Sequence, residues 1–274
     1  MAATEPIDIV ELGVADAKAG LGLSTEAGWN QNEADWRFFL KYGIVFGVHD
    51  SDRLVATAAL LPYSADNAWI SMVLVTSDFR RRGIATKLVD TCLSAAAQRG
   101  LTTWLDATPA GATVYGPLGF TPTLELRRLR LQKPLGTATV QPLPVGSLDA
   151  LATRDSGAMG FDRSTLLSEF AARPGSRIVS NERAIALVRD GRTARHIGPL
   201  LADRADRALG LVEAIVGSGS GPWLIDAVHS RSQFLDGLVR AGWNIERPFQ
   251  RMRFGPATAS SVQPPFAVAG PEFG

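Results

Sequence analysis

Trp69-Ile70-Ser71-Met72-Val73-Leu74-Val75-Thr76-Ser77-Asp78-Phe79-Arg80-Arg81-Arg82-Gly83-Ile84-Ala85-Thr86 is the stretch whose reading decides the fold. The largely apolar run Trp69–Val75 predicts a strand buried on both faces. Behind the loop, Ile84, Leu88, Cys92 and Ala95-Ala96 recur at helical spacing, and Gly100 after Arg99 reads as the stop. A helix start leaves backbone N–H groups without internal partners, and the helix dipole adds positive charge there. A diphosphate suits such a site. Gly83 and the small Ala85 let an anion approach the backbone, and Arg80, Arg81 and Arg82 add charge-assisted contacts.

Upstream, Gly43–Val48 and Arg53–Leu61 read as strands joined by a hairpin at His49-Asp50-Ser51-Asp52. Downstream come a strand over Leu101–Ala107, the turn Leu118-Gly119-Phe120 and a strand over Leu124–Leu131. The proline- and glycine-rich Lys133–Val145, KPLGTATVQPLPV, reads as a linker. Beyond it the order repeats. Arg177–Ser180 and Arg183–Arg189 pair across Asn181-Glu182, and strand Thr193–Leu201 leads to a helix over Asp206–Val216. Gly217–Gly221 is a flexible loop before strand Trp223–Ala227, followed by helix Ser230–Arg240 and a last strand through Arg251–Phe254. Trp104-Leu105-Asp106 and Leu224-Ile225-Asp226 hold equivalent places, as do Gly119-Phe120 and Gly242-Trp243. The chain reads as a diverged tandem repeat of one α/β unit, with domains 1–132 and 146–274 around a linker at 133–145.

The 274 residues carry 28 basic and 27 acidic side chains, a net charge of +1. That balance gives no general attraction to nucleic acid or to an anionic membrane. Cys92 is the sole cysteine, and His49, His196 and His229 lack metal-ligand spacing, so no metal is expected. The first residues lack a cationic start with an apolar run, and no apolar stretch approaches the roughly 18 residues a membrane span needs. A soluble cytoplasmic protein is the expectation.

The loop Arg80-x-x-Gly83-x-Ala85, with its strand in front and helix behind, resembles the acetyl-CoA-binding motif of the GNAT superfamily (GCN-related N-acetyltransferases), Gln/Arg-x-x-Gly-x-Gly/Ala. The resemblance implies acetyl-CoA as acyl donor, bound by Arg80, Arg81, Arg82, Gly83, Ile84, Ala85 and Thr86. It also implies that main-chain groups across Val73, Leu74 and Val75 pair with the pantetheine arm. A second stretch, Ala112-Thr113-Val114-Tyr115-Gly116-Pro117-Leu118-Gly119-Phe120, is similar to the family segment in which Ala and Tyr precede a Gly-Phe turn. It places Tyr115 near the thioester sulfur. A phenol, with an ordinary pKa of about 10, is matched to protonating a departing thiolate. The fold implied is an α/β pair of GNAT-like domains, each a mostly antiparallel twisted sheet flanked by helices. The order of parts resembles two-domain bacterial acetyltransferases with a working first domain and a divergent second. In the second half, Ile197–Asp206 lacks the motif, and Asp203 and Asp206 would repel a diphosphate, so no CoA is expected there.

Family enzymes bind acceptors ahead of the central strands, here Leu23–Phe39. Trp29 and Asn30 offer an aromatic wall and an amide, with Glu26, Glu33 and Asp35 nearby to hold or deprotonate an ammonium group. The bland alternative is a helix capped by Asn32 or Asn30, with Trp36, Phe39 and Leu40 on its inner face. Asp106, on the strand beside the expected cofactor cleft, is a further candidate for the acceptor site and another possible base, and His49 reads as a solvated turn residue. Cys92, on the apolar stripe, reads as a structural thiol rather than a nucleophile. The expected enzyme transfers acetyl directly to a primary amine, in a small molecule or a peptide, with Tyr115 as general acid. The competing reading is a non-catalytic acyl-CoA-binding or sensory protein.

Overall fold

The computed structural model describes residues 8–132, 144–181, 183–256 and 263–274. Most of the segment read as a linker, 133–143, and Glu182 of the expected turn lie outside the described residues. The chain divides into two compact units, Met1–Leu105 and Asp106–Gly274.

The first unit begins with β1 (Val10–Glu11) and the helices α1 (Ala17–Glu26) and α2 (Glu33–Tyr42). It continues through β2 (Ile44–Asp50), β3 (Arg53–Pro62), β4 (Asn67–Val75), α3 (Ile84–Ala97) and β5 (Thr102–Ala107), whose last two residues fall in the second unit. The strands lie in the order β1-β2-β3-β4-β5, antiparallel except for β4 with β5. The β2–β3 turn is shorter than expected: only Ser51 and Asp52 lie outside the strands, and Ser51 has φ 54°, as tight hairpin turns require. His49 is therefore an exposed strand residue, not a turn residue.

Leu54–Leu61 of β3 are buried without alternation, because α1, α2 and α3 all pack on this strand. Its buried hydroxyl, on Thr57, donates to the Met72 carbonyl at 2.8 Å. Asn32 caps α2 in a reciprocal box with Asp35 (3.0 and 3.1 Å), and Trp36 of that helix is fully buried. Trp36 donates through Nε1 to Ser24 on α1 at 3.0 Å. The two helices touch at Gly20, where a Cβ would stand 2.4 Å from the Trp36 ring.

The second unit contains α4 (Pro109–Tyr115), β6 (Thr121–Leu131), α5 (Leu148–Met159), α6 (Ser164–Ala171), β7 (Arg177–Asn181) and β8 (Ala184–Asp190). β9 (Arg195–Ala202), α7 (Ala205–Gly217), β10 (Trp223–Val228), α8 (Ser232–Arg240) and β11 (Asn244–Phe254) complete it. Its strand order is β11-β6-β10-β9-β8-β7, and only β9 and β10 run parallel. β6 is thus held between strands of the C-terminal half. Leu129 and Leu131 of β6 pack with Ile197, Leu211, Ile215, Trp223 and Phe234 in one apolar core. The helices α5 and α6 stand in addition to the elements expected from the sequence, with Leu151 and Met159 of α5 and Leu166, Leu167 and Phe170 of α6 buried. Among the described residues, no helix is long and apolar enough to cross a membrane.

Ionic contacts also reach this unit's interior. Arg128 on β6 grips Asp226 on β10 through two bonds of 2.8 Å, and His196 Nε2 lies 3.0 Å from the same carboxylate. Burial opposes the charge on Asp226, but the Arg128 guanidinium and the bonds from His196 and Arg128 hold its carboxyl well below the ordinary range. Its ionised form therefore stabilises the fold at neutral pH, and that contribution disappears as pH falls through the depressed value. Asp226→Asn keeps the shape but strands a buried guanidinium. It is expected to cost about 3–5 kcal/mol at neutral pH by denaturant unfolding. The gap from wild type should narrow in strong acid; equal stabilities at pH 7 would refute this account.

Candidate active site

The Thr76 N–H donates to Val55 of β3 at 2.9 Å. By the alternation of an antiparallel pair, Leu74 and Thr76 direct their main-chain groups toward β3, while those of Val73 and Val75 face the opposite edge. On that edge the ladder to β5 comprises Asn67–Trp69 with Thr102–Trp104, and Trp104 Nε1 pins it by donating to Asn67 at 2.8 Å. β4 runs on to Val75. A register shift against Thr57/Ala59 makes a bulge here, with Met72 at φ 51°. Leu74 is buried, whereas Val73 and Val75 are half-buried.

Past β4 the chain makes a short turn at Ser77–Phe79 and reaches the three arginines, all exposed. Arg81 (φ 62°) and Gly83 (φ 76°) are left-handed, and successive amides in such turns converge on a concave anion site. Gly83 is the residue before α3, and no side chain caps the helix. A Cβ on Gly83 would meet nothing within 4 Å, so the backbone angle, not crowding, calls for glycine. Ile84 is buried and anchors the first turn, with Ala85 and Thr86 half-buried beside it. Arg80 folds back to donate from Nε to the Val75 carbonyl at 3.0 Å. Arg82 donates to the Asp78 carbonyl at 2.7 Å and lies over the Phe79 ring at 4.7 Å. An uncapped helix start, left-handed turns and exposed guanidinium groups together fit a diphosphate.

Glu26 has a different place from the one its sequence neighbourhood suggested. Its carboxylate accepts from Thr76 Oγ1 (2.7 and 2.9 Å) and from the Ser77 N–H (2.9 Å). Arg53 donates to the same Thr76 oxygen at 3.1 Å. The end of α1 is thereby tied to the start of the loop. The bond from Ser77, then that from Thr76, lowers the Glu26 carboxyl from its ordinary value, with smaller help from Arg53 and Arg80. A tie across 50 residues leaves no local pattern to read.

Trp29 is half-buried and Asn30 buried just beyond α1, and Asn32 rather than Asn30 caps α2. The other two acids of this segment are engaged: Glu33 pairs with Arg37 at 2.6 Å, and Asp35 closes the capping box. In the second unit, Tyr115 is the last residue of α4, with its ring 5.9 Å from that of Phe120. The same helix borders an open groove of about 470 Å³ lined by Pro109, Ala112, Gly116, Phe249 and Met252. Asp106 is not free to serve as a base in the way its place on β5 suggested. Both its oxygens accept from Arg251 at 2.8 Å, and the pair is buried. Burial pushes its carboxyl up and Arg251 pulls against it. Cys92 is buried, and burial alone pushes its thiol up to about 12, so no thiolate forms there near neutral pH. In the second half, Asp203 pairs with Arg154 at 3.2 Å and Asp206 with Arg204 at 2.9 Å, at the start of α7.

This strand, loop and helix offer the positive charge and the unpaired backbone amides that a phosphate-bearing group requires. The acetyltransferase (GNAT) family model matches residues 19–120, and a second GNAT acetyltransferase domain model matches residues 151–266. The chain therefore belongs to the GNAT superfamily as a two-domain member, an N-acetyltransferase by class. The family uses acetyl-CoA and acts on amines of small molecules or peptides. The uncharacterized N-acetyltransferase YitH of Bacillus subtilis (strain 168) is 22% identical over 256 residues, 86% of this chain and 88% of its own. A proposed acetyltransferase from Pyrococcus horikoshii shares the fold with a TM-score of 0.83 at 19% identity, over 99% of this chain and 97% of that one. A GCN5-related N-acetyltransferase from Sphaerobacter thermophilus matches with a TM-score of 0.64 at 18% identity, over 95% and 100%.

The Glu26 tie has a direct readout. In an NMR titration, the Glu26 carboxyl should have a midpoint below that of ordinary glutamates, and Thr76→Val should move it upward. An unmoved midpoint would count against the tie.

Proposed function

We propose that residues 1–132 form the catalytic domain, which transfers the acetyl group of acetyl-CoA to a primary amine by direct attack. The observation that carries this reading is the run from β4 through two left-handed residues into an uncapped helix lined by three exposed arginines. The diphosphate takes the amides and arginines of Arg80–Thr86, and the pantetheine arm follows the edge of β4 at Val73–Val75. Arg80, now on the Val75 carbonyl, marks where that edge already accepts a donor.

Trp29 and Asn30 form the acceptor wall. The acceptor nitrogen attacks the carbonyl carbon, passing its proton to water. As the carbon–sulfur bond breaks, Tyr115 protonates the thiolate. Both carboxylate oxygens of Asp106 are engaged by Arg251. The domain 146–274 binds no CoA, its would-be phosphate loop carrying Asp203 and Asp206 instead.

Two variants at Gly83 test the donor site, because Asn and Asp both tolerate its left-handed backbone. Calorimetric titration of acetyl-CoA should show weaker binding for Gly83→Asp than for Gly83→Asn, since only Asp adds a charge facing the diphosphate. Equal affinities would remove the diphosphate from this loop. With an amine acceptor, Tyr115→Phe should lower kcat by about 10²-fold or more, with little change in acetyl-CoA affinity. An unchanged kcat would return Tyr115 to a packing role.

A further inference from the structure

The two parallel strand pairs, one in each unit, are built alike. β4 and β5 are laddered over three residue pairs, and β9 and β10 over two, Arg195 with Trp223 and His196 with Leu224. Both β4 and β9 carry a register shift against the strand before them. Beyond its short ladder, each pair has backbone donors and acceptors that need partners.

In the second unit those partners come from the chain itself. The Leu200 N–H donates to Ala267 (2.9 Å), and the Phe266 N–H donates to Leu200 (2.9 Å). On the other side, the Val228 N–H donates to Phe266 and the Val268 N–H to Asp226, both at 3.0 Å. Phe266–Val268 is thus a short strand between β9 and β10, antiparallel to both. A Cβ on Gly198 would stand 2.0 Å from the Val268 carbonyl, so this glycine makes room for the insert. The residues that follow are clamped. Arg189 donates to the Ala269 carbonyl (2.9 Å) and Glu272 (3.3 Å), while Arg163, itself paired with Asp155, donates to the carbonyls of Phe273 and Gly274. Phe266 packs edge-on to Phe234 and Phe273 edge-on to Phe170. Residues 265–274 are buried throughout.

We propose that Phe266–Gly274 is a built-in peptide ligand of the second half. It fills the gap between β9 and β10 that corresponds to the donor-arm edge of β4, and so closes that half to acyl-CoA. The correspondence rests on the donor site proposed above; the strand insertion does not. The chain accordingly holds one acetyl-CoA.

The test keeps the whole chain. A protease site is placed within residues 257–262, and the cut protein is passed through gel filtration, in the wild-type and Gly83→Asp backgrounds. The expected result is that the C-terminal fragment stays bound in both and exchanges only with an excess of synthetic Pro264–Gly274 peptide. A fragment lost while the remainder keeps its Tm would overturn the proposal. Val268→Pro in the uncut chain is the second variant, independent of cleavage, and removes the N–H that donates to the Asp226 carbonyl. Its Tm should fall by at least about 4 °C with acetyl-CoA binding unchanged, and an unchanged Tm would overturn the insertion. More than one acetyl-CoA per uncut chain would overturn the closure. Absence of acetyl-CoA binding with the fragment retained would count against the donor site alone.

Discussion

Two parallel strands that part after a few residues create a demand that the rest of each unit answers. Hydrogen-bonding groups of a central strand cannot be left dry and unpaired, so each opening must be filled. Along β4, Arg80 reaches back to one carbonyl, and a bulge interrupts the strand near Met72. Along β9, the segment around Ala267 answers in full.

Charge separates the two helix starts just as sharply. Before α3 stand Arg80, Arg81 and Arg82 with a glycine at the turn; before α7 stand Asp203 and Arg204, already drawn into pairs with Arg154 and Asp206. The first arrangement attracts an anion, and the second has spent its polar groups on neighbours. Deeper in the second unit, Arg128, Asp226 and His196 form a buried cluster of ionic contacts.

The strand–loop–helix at Trp69–Ala97 was legible because it is local: apolar run, glycine, then helical period. The tandem order was legible for the same reason, since each hairpin and helix carries its own turn residues. The tight turn at Ser51-Asp52 was read too long because His49 and Asp50 are polar, yet both stay in the strand at an exposed edge of the hairpin. Asp106 looked like a base because nothing near it in sequence announces Arg251. The bonds that place Glu26 and Arg163 leave no local pattern likewise: they reach partners 50 and more than 100 residues away. The insert at Phe266–Val268 resembles any short apolar tail until the strands it joins are known.

The bond from Glu26 to Thr76 and Ser77 joins the helix that leads to Trp29 and Asn30 with the strand end that leads to the arginines. Two regions sharing one small network cannot be ordered independently. If the loop takes the donor and Trp29 faces the acceptor, as proposed above, coupling through this network acts equally in both directions, each ligand changing the other's affinity by the same factor. Cooperativity between the two proposed substrates would then run through a carboxylate shared between a helix end and a turn.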